Sequence, residues 1–133
     1  MIEQPNAASV GLVRDGKILL IKRAHAPYQN LWTFPGGRME PGETVEQCAI
    51  REVQEELAIT VRNPRQVMTQ ELGRDGAFRL AVFTSTDFSG TIRPSDEVAG
   101  HMWAEPGMLI ALRTTTRLED VITECFKILG QSW

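Results

Sequence analysis

The chain has 133 residues, 42% of them hydrophobic and 23% charged, with 17 acidic against 14 basic side chains and a formal net charge of −3. That length suits one compact domain, residues 1–133, with a core of its own. The acid gathers at Glu40, Glu43, Glu46, Glu52, Glu55 and Glu56 with no basic stripe to balance it, which argues against duplex nucleic acid as a partner and leaves small phosphorylated ligands bridged by a metal.

In chain order, residues 1–6 read as a polar lead-in, and Ala7 to Val13 and Lys17 to Arg23 as two strands. Asp15-Gly16 between them is a hairpin signal. The unbroken run Ile18, Leu19, Leu20, Ile21 predicts burial on both faces of a sheet. His25 to Tyr28 is a loop; a flat ligand base could stack on Tyr28 or Trp32, or Trp32 could instead seal the core. Phe34 ends a strand-like stretch, and Pro35-Gly36-Gly37 is expected to stop regular pairing. Pro41-Gly42 is a second break.

From Glu43 a helix runs uninterrupted, with Thr44 as N-cap and Gln47 three residues on, the capping-box spacing. On its wheel Glu52, Glu55 and Glu56 share an arc of roughly 100°, beside an apolar arc of Ala49, Ile50, Val53 and Leu57. Like charges at three- and four-residue spacing destabilise a helix by roughly 0.2–0.5 kcal/mol per pair, so this face is either a solvated acidic flank or a site for a hard cation.

After the helix, Val61 to Pro64 reads as a connector. Arg65 to Leu72 and Ala77 to Thr86 read as strands joined through Gly73-Arg74-Asp75-Gly76. Thr91 to Ser95 reads as an irregular strand edge, and Ala99 to Ala104 as a short strand with Trp103. Glu105-Pro106 opens an expected short helix to about Leu112. Leu118 to Leu129 has one apolar helical face, ended by Gly130. Cys48 and Cys125 are isolated and expected to be reduced packing residues. No charged-then-apolar leader opens the chain as given and no apolar run approaches membrane-spanning length, so the cytoplasm is the expected location, with no membrane partner.

Read whole, Gly37, Glu43, Arg51-Glu52, Val53, Glu55-Glu56, Leu57 and Ile59 resemble the Nudix box in register. One element departs: Ala58 stands where the family has glycine, which either costs about 1 kcal/mol in a left-handed conformation or pushes the helix stop toward Thr60. The resemblance implies an α/β fold, a mixed sheet between helices in an α/β/α sandwich. It implies a hydrolase that cleaves the pyrophosphate bond of a nucleoside diphosphate linked to another group, with Mg²⁺ or Mn²⁺ as cofactor.

By the same resemblance Glu52, Glu55 and Glu56 hold metal, helped by the Gly36 carbonyl and by the loop acid Glu97. Arg51 pairs with Glu43 across the loop–helix junction, and Gly37 shapes the turn. Glu55 or Glu97 acts as base, while Glu97 could equally be a solvated acid. Lys22-Arg23-Ala24 resembles a family phosphate-contact sequence, so Arg23 is a candidate there, or merely caps its strand. Trp32, Arg38, Phe78 and Arg79 complete the expected substrate contacts. The first expectation for substrate is ADP-ribose or another nucleotide sugar; a nucleoside triphosphate, oxidised or not, is the second, and a non-cleaving regulatory module the third. A homodimer is one expected assembly.

Overall fold

The computed structural model describes residues 4–133. The Asp15-Gly16 signal is realised: β1 (Ala7–Arg14) and β2 (Lys17–Arg23) pair antiparallel around it, with Val13 opposite Ile18. β2 continues outward to β3 (Trp32–Thr33) and also pairs with β9 (Val98–Ala104). On its other side β1 runs parallel to β7 (Phe78–Ser85), which pairs antiparallel with β6 (Arg65–Leu72). One parallel pair among antiparallel ones makes the sheet mixed.

Helix α1 (Val45–Leu57) covers one face and α2 (Leu118–Ile128) the other, the expected sandwich. Alternation along β2 explains its unbroken apolar run. Leu19 and Ile21 pack toward Cys48, Ala49, Val53 and Leu57 of α1, whereas Ile18 and Leu20 pack toward Val121, Ile122 and Phe126 of α2. Cys48 and Cys125 are buried free thiols, one on each side, and burial pushes both up to about 12.

Four expectations need correction. Gly36 and Gly37 do not stop pairing: β4 (Gly36–Arg38) pairs antiparallel with the start of β1, Ser9 opposite Gly36. Missing side chains make this possible. A Cβ on Gly36 would lie 2.7 Å from Ser9 Cβ, and one on Gly37 would lie 2.5 Å from the Glu52 carboxyl carbon.

The supposed connector is also a strand, β5 (Thr60–Arg62), paired with β8 (Asp87–Ser89) as a separate two-stranded sheet. Residues 91–95 form no strand; instead Arg93 N–H donates to the Leu57 carbonyl and Ser95 N–H to that of Glu56, both at 2.8 Å. The helix expected after Pro106 shrinks to a single 3₁₀ turn, Leu109–Ala111, because Gly107 at φ 90° takes the chain out of helical space. Of the two outcomes open to Ala58, it takes the left-handed one, at φ 60° and ψ 31°, its N–H donating to the Gln54 carbonyl.

Candidate active site

Three elements converge at the first half of β1. Helix α1 starts on its reciprocal capping box, in which Gln47 N–H donates to Thr44 Oγ1 and Thr44 N–H to Gln47 Oε1. That fixed start sets which residues of the next turns face the sheet. Glu52 and Glu56 are among them, 9% and 1% exposed, while Glu55 faces solvent.

β4 lies against this face. Gly36 N–H donates to Glu56 Oε1 at 2.7 Å, and Glu56 Oε2 is buried with no protein partner. Burial, helped by the nearby charges of Glu52 and Glu97, holds the Glu56 carboxyl up at about 8. Burial likewise raises Glu52, against the pull of Arg51. Glu97 arrives from the loop before β9, which is pinned by Ala24 N–H donating to the Glu97 carbonyl. One oxygen each from Glu52, Glu56 and Glu97 lie within 4.8 Å of one another.

Such a trio is costly once all three acids are charged: a partly buried, like-charged cluster with an orphaned oxygen calls for a cation to offset the repulsion and desolvation. Its donors are all carboxylate oxygens, which suit a hard divalent ion such as Mg²⁺ or Mn²⁺. The residues present therefore fit the metal typical of this chemistry.

Arg51 organises the acids beside the trio. Its Nε and Nη2 clamp both oxygens of Glu43 at 2.6 and 2.9 Å, the pair expected across the loop–helix junction. Its Nη1 reaches Glu52 Oε1 at 2.9 Å and Glu55 Oε2 at 3.1 Å, and Nη2 also donates to the Arg38 carbonyl at 3.0 Å. The guanidinium holds Glu43 down at about 2, so this clamp stays charged through the neutral range. Glu55 is thus tied to Arg51 and stands outside the converging trio.

A cavity of about 320 Å³ opens over these groups. Arg23, Gly36, Gly37, Arg38, Glu52, Glu55, Phe78 and Glu97, all expected from the sequence, line it. The Arg38 guanidinium sits 4.3 Å above the Phe78 ring, and Tyr28 packs against the same ring at 5.8 Å. Arg23 Nε donates to the Pro27 carbonyl, fastening the Tyr28 loop to the end of β2.

Two expected substrate contacts are elsewhere. Trp32 does not line the cavity; it packs with the α2-side core and exchanges backbone hydrogen bonds with Arg113 and Thr115. Arg79 lies outside the cavity lining and donates Nε to the Gln4 carbonyl at 2.7 Å. Its neighbours Phe78 and Leu80 both line the cavity, and successive strand residues face opposite ways, so Arg79 belongs to the other face. Ser9 was missed: it is buried in the cavity lining with an unpartnered Oγ, and the same alternation from Ala7 would have found it.

Among the described residues no helix is long and apolar enough to cross a membrane. The NUDIX domain pattern matches residues 3–125. A CTP pyrophosphohydrolase of Escherichia coli K12 is 36% identical over 95 residues, covering 70% of each chain. A putative 8-oxo-dGTP diphosphatase of Bacillus subtilis 168 is 32% identical over 105 residues, 79% of this chain and 68% of the relative. Among solved structures, a MutT NUDIX hydrolase from Burkholderia pseudomallei superposes with a TM-score of 0.75 at 28% identity, covering 92% of this chain and 98% of that one. Box, cleft and likeness agree, and the chain belongs to the Nudix hydrolases, enzymes that act on pyrophosphate bonds in nucleoside diphosphate derivatives.

Proposed function

We propose that this protein is a nucleoside triphosphate pyrophosphohydrolase, releasing a nucleoside monophosphate and pyrophosphate. The observation that carries this reading is the adjacency, in one cleft, of a carboxylate trio and a small recess walled by Arg38, Phe78 and Tyr28. That recess suits one base, and the two relatives matched over about 70% of their own lengths are named for triphosphate substrates.

Glu52, Glu56 and Glu97 would hold the divalent ion, for which Mg²⁺ is the first choice. When bound, such an ion neutralises the phosphates and acidifies water. Arg51 keeps Glu52 turned toward the trio and keeps Glu55 at the cleft wall, where Glu55 or Glu97 accepts the proton of the attacking water. Arg23, on the same cleft wall, faces the phosphates, whose charge shifts onto the leaving group as the anhydride bond breaks. The Arg38 guanidinium, backed by the Phe78 ring, offers its open face to the base.

A substrate panel with Mg²⁺ tests this. CTP, dGTP, 8-oxo-dGTP and ADP-ribose are offered, and monophosphate and pyrophosphate products are scored separately. A triphosphate is expected to give kcat/KM at least about tenfold above ADP-ribose. The reverse order would restore the nucleotide-sugar reading, and binding without turnover across the panel would establish a regulatory module.

A further inference from the structure

A second recess, about 310 Å³, lies away from the cleft. Its floor is Leu12 and Leu19, both fully buried core residues, and Ile59 closes one side. Phe88 and Trp103 form the wall, their rings nearly parallel at 18° with centroids 6.1 Å apart. Gly90, Thr91 and Ile92 complete the rim. Arg14, exposed at the end of β1, lays its guanidinium 4.3 Å over the Phe88 ring and 5.7 Å from that of Trp103.

Arg14 has no carboxylate partner among the described residues. The acid of the neighbouring strand, Asp87, is already held by Arg62 at 3.0 Å and Asn63 at 2.8 Å. An arginine stacked on rings keeps its N–H edge free, and that edge matches a planar or tetrahedral anion in two parallel hydrogen bonds. A recess with an aliphatic floor, an aromatic wall and one unopposed cation at its mouth is therefore complementary to a molecule with an apolar body and a single anionic head.

We propose that this recess is a binding site for a small organic anion with an apolar or aromatic body, separate from the catalytic cleft. The cleft meets β1 at Ala7 and Ser9, and the recess meets it at Leu12 and Arg14. At about 3.3 Å per residue the two are roughly 15 Å apart along that strand. The rim at 90–92 continues into the segment whose backbone bonds the Glu56 and Leu57 carbonyls, so an occupant touches chain that also supports the acid trio.

The probe is naphthalene-2-sulfonate, titrated into the full ¹⁵N-labelled chain and followed by amide and indole NMR shifts. Naphthalene-2-methanol, the same body without the charge, is the control. Saturable shifts are expected at Gly90, Thr91 and the Trp103 indole. The alcohol and the Arg14→Gln protein should each bind at least about tenfold more weakly than the sulfonate on wild type, and Arg14→Lys, which keeps the charge but loses the fork, should fall between Arg14→Gln and wild type. Shifts centred on Gly36 and Phe78, equal binding of sulfonate and alcohol, or no saturation would overturn the proposal. The alcohol comparison decides the matter on wild-type protein even if the Arg14→Gln chain does not fold. Because the readout is binding, failure of the triphosphate assignment leaves this result standing, and the reverse also holds.

Discussion

Replacing Glu56 by glutamine should stabilise the metal-free fold while destroying turnover. The Glu56 carboxyl is raised from 4.5 to about 8, mainly by burial. Between those values the folded chain keeps a proton that the unfolded chain has released. Stability is therefore full below about pH 4.5 and declines as pH rises toward about 8. At about 1.4 kcal/mol per pKa unit the whole decline is of the order of 5 kcal/mol, roughly half of it between pH 6 and pH 8.

Glutamine is neutral throughout and its Oε1 can still accept the Gly36 N–H, so the variant lacks this decline. Urea unfolding in EDTA at about pH 6 and pH 9 measures it. Wild type should lose about 2 kcal/mol or more across that range and the variant much less, with the variant the more stable protein at the higher pH. Added Mg²⁺ should stabilise wild type at high pH by more than it stabilises the variant, which keeps only two of the three carboxylates. Parallel pH profiles for the two proteins would refute the reasoning, since Glu56 would then be neither desolvated nor protonated. In native buffer with Mg²⁺ and no urea or EDTA, pyrophosphohydrolysis by Glu56→Gln should fall by about 10²-fold or more.

Ala58→Gly should raise stability by up to about 1 kcal/mol in urea unfolding, because the residue sits at φ 60°, and leave kcat within a few-fold. Gly37→Ala places a methyl 2.5 Å from the Glu52 carboxyl carbon; Mg²⁺ affinity, read by calorimetry, should weaken about tenfold or more. Phe78→Ala removes the ring beneath Arg38 and should raise KM for a triphosphate about tenfold with a smaller change in kcat, and an unchanged KM would place the base elsewhere.

Local signals sufficed where they were strong and repeated. The β1–β2 hairpin carried an Asp-Gly turn between apolar runs, and α1 carried a full capping box, so both could be located from residue order. The strand at Gly36–Arg38 could not. Its glycines look like breaks locally, and only the close approach of Ser9 on one side and Glu52 on the other explains them. Three-residue β5 and β8 are too short to show a period and exist through pairing with each other. Trp32 was ambiguous because an aromatic beside a glycine turn suits a ligand wall and a core plug equally; packing against the α2 side decided it. Glu52 and Glu56 were legible as ligand candidates, but the wheel put Glu55 in the same arc; packing against the sheet buries Glu52 and Glu56 and leaves Glu55 exposed, and which of the three meet Glu97 depends on a loop distant in sequence.

The backbone links from Arg93 and Ser95 to the last turn of α1 have a structural corollary. A helix end normally leaves its final carbonyls to water; here two of them are occupied by the strand of chain that goes on to deliver Glu97. Length changes between Gly90 and Glu97 would thus fray the helix terminus and shift an acid of the cleft in one stroke. Homologues with a longer or shorter stretch there would need to recruit that third acid from another position.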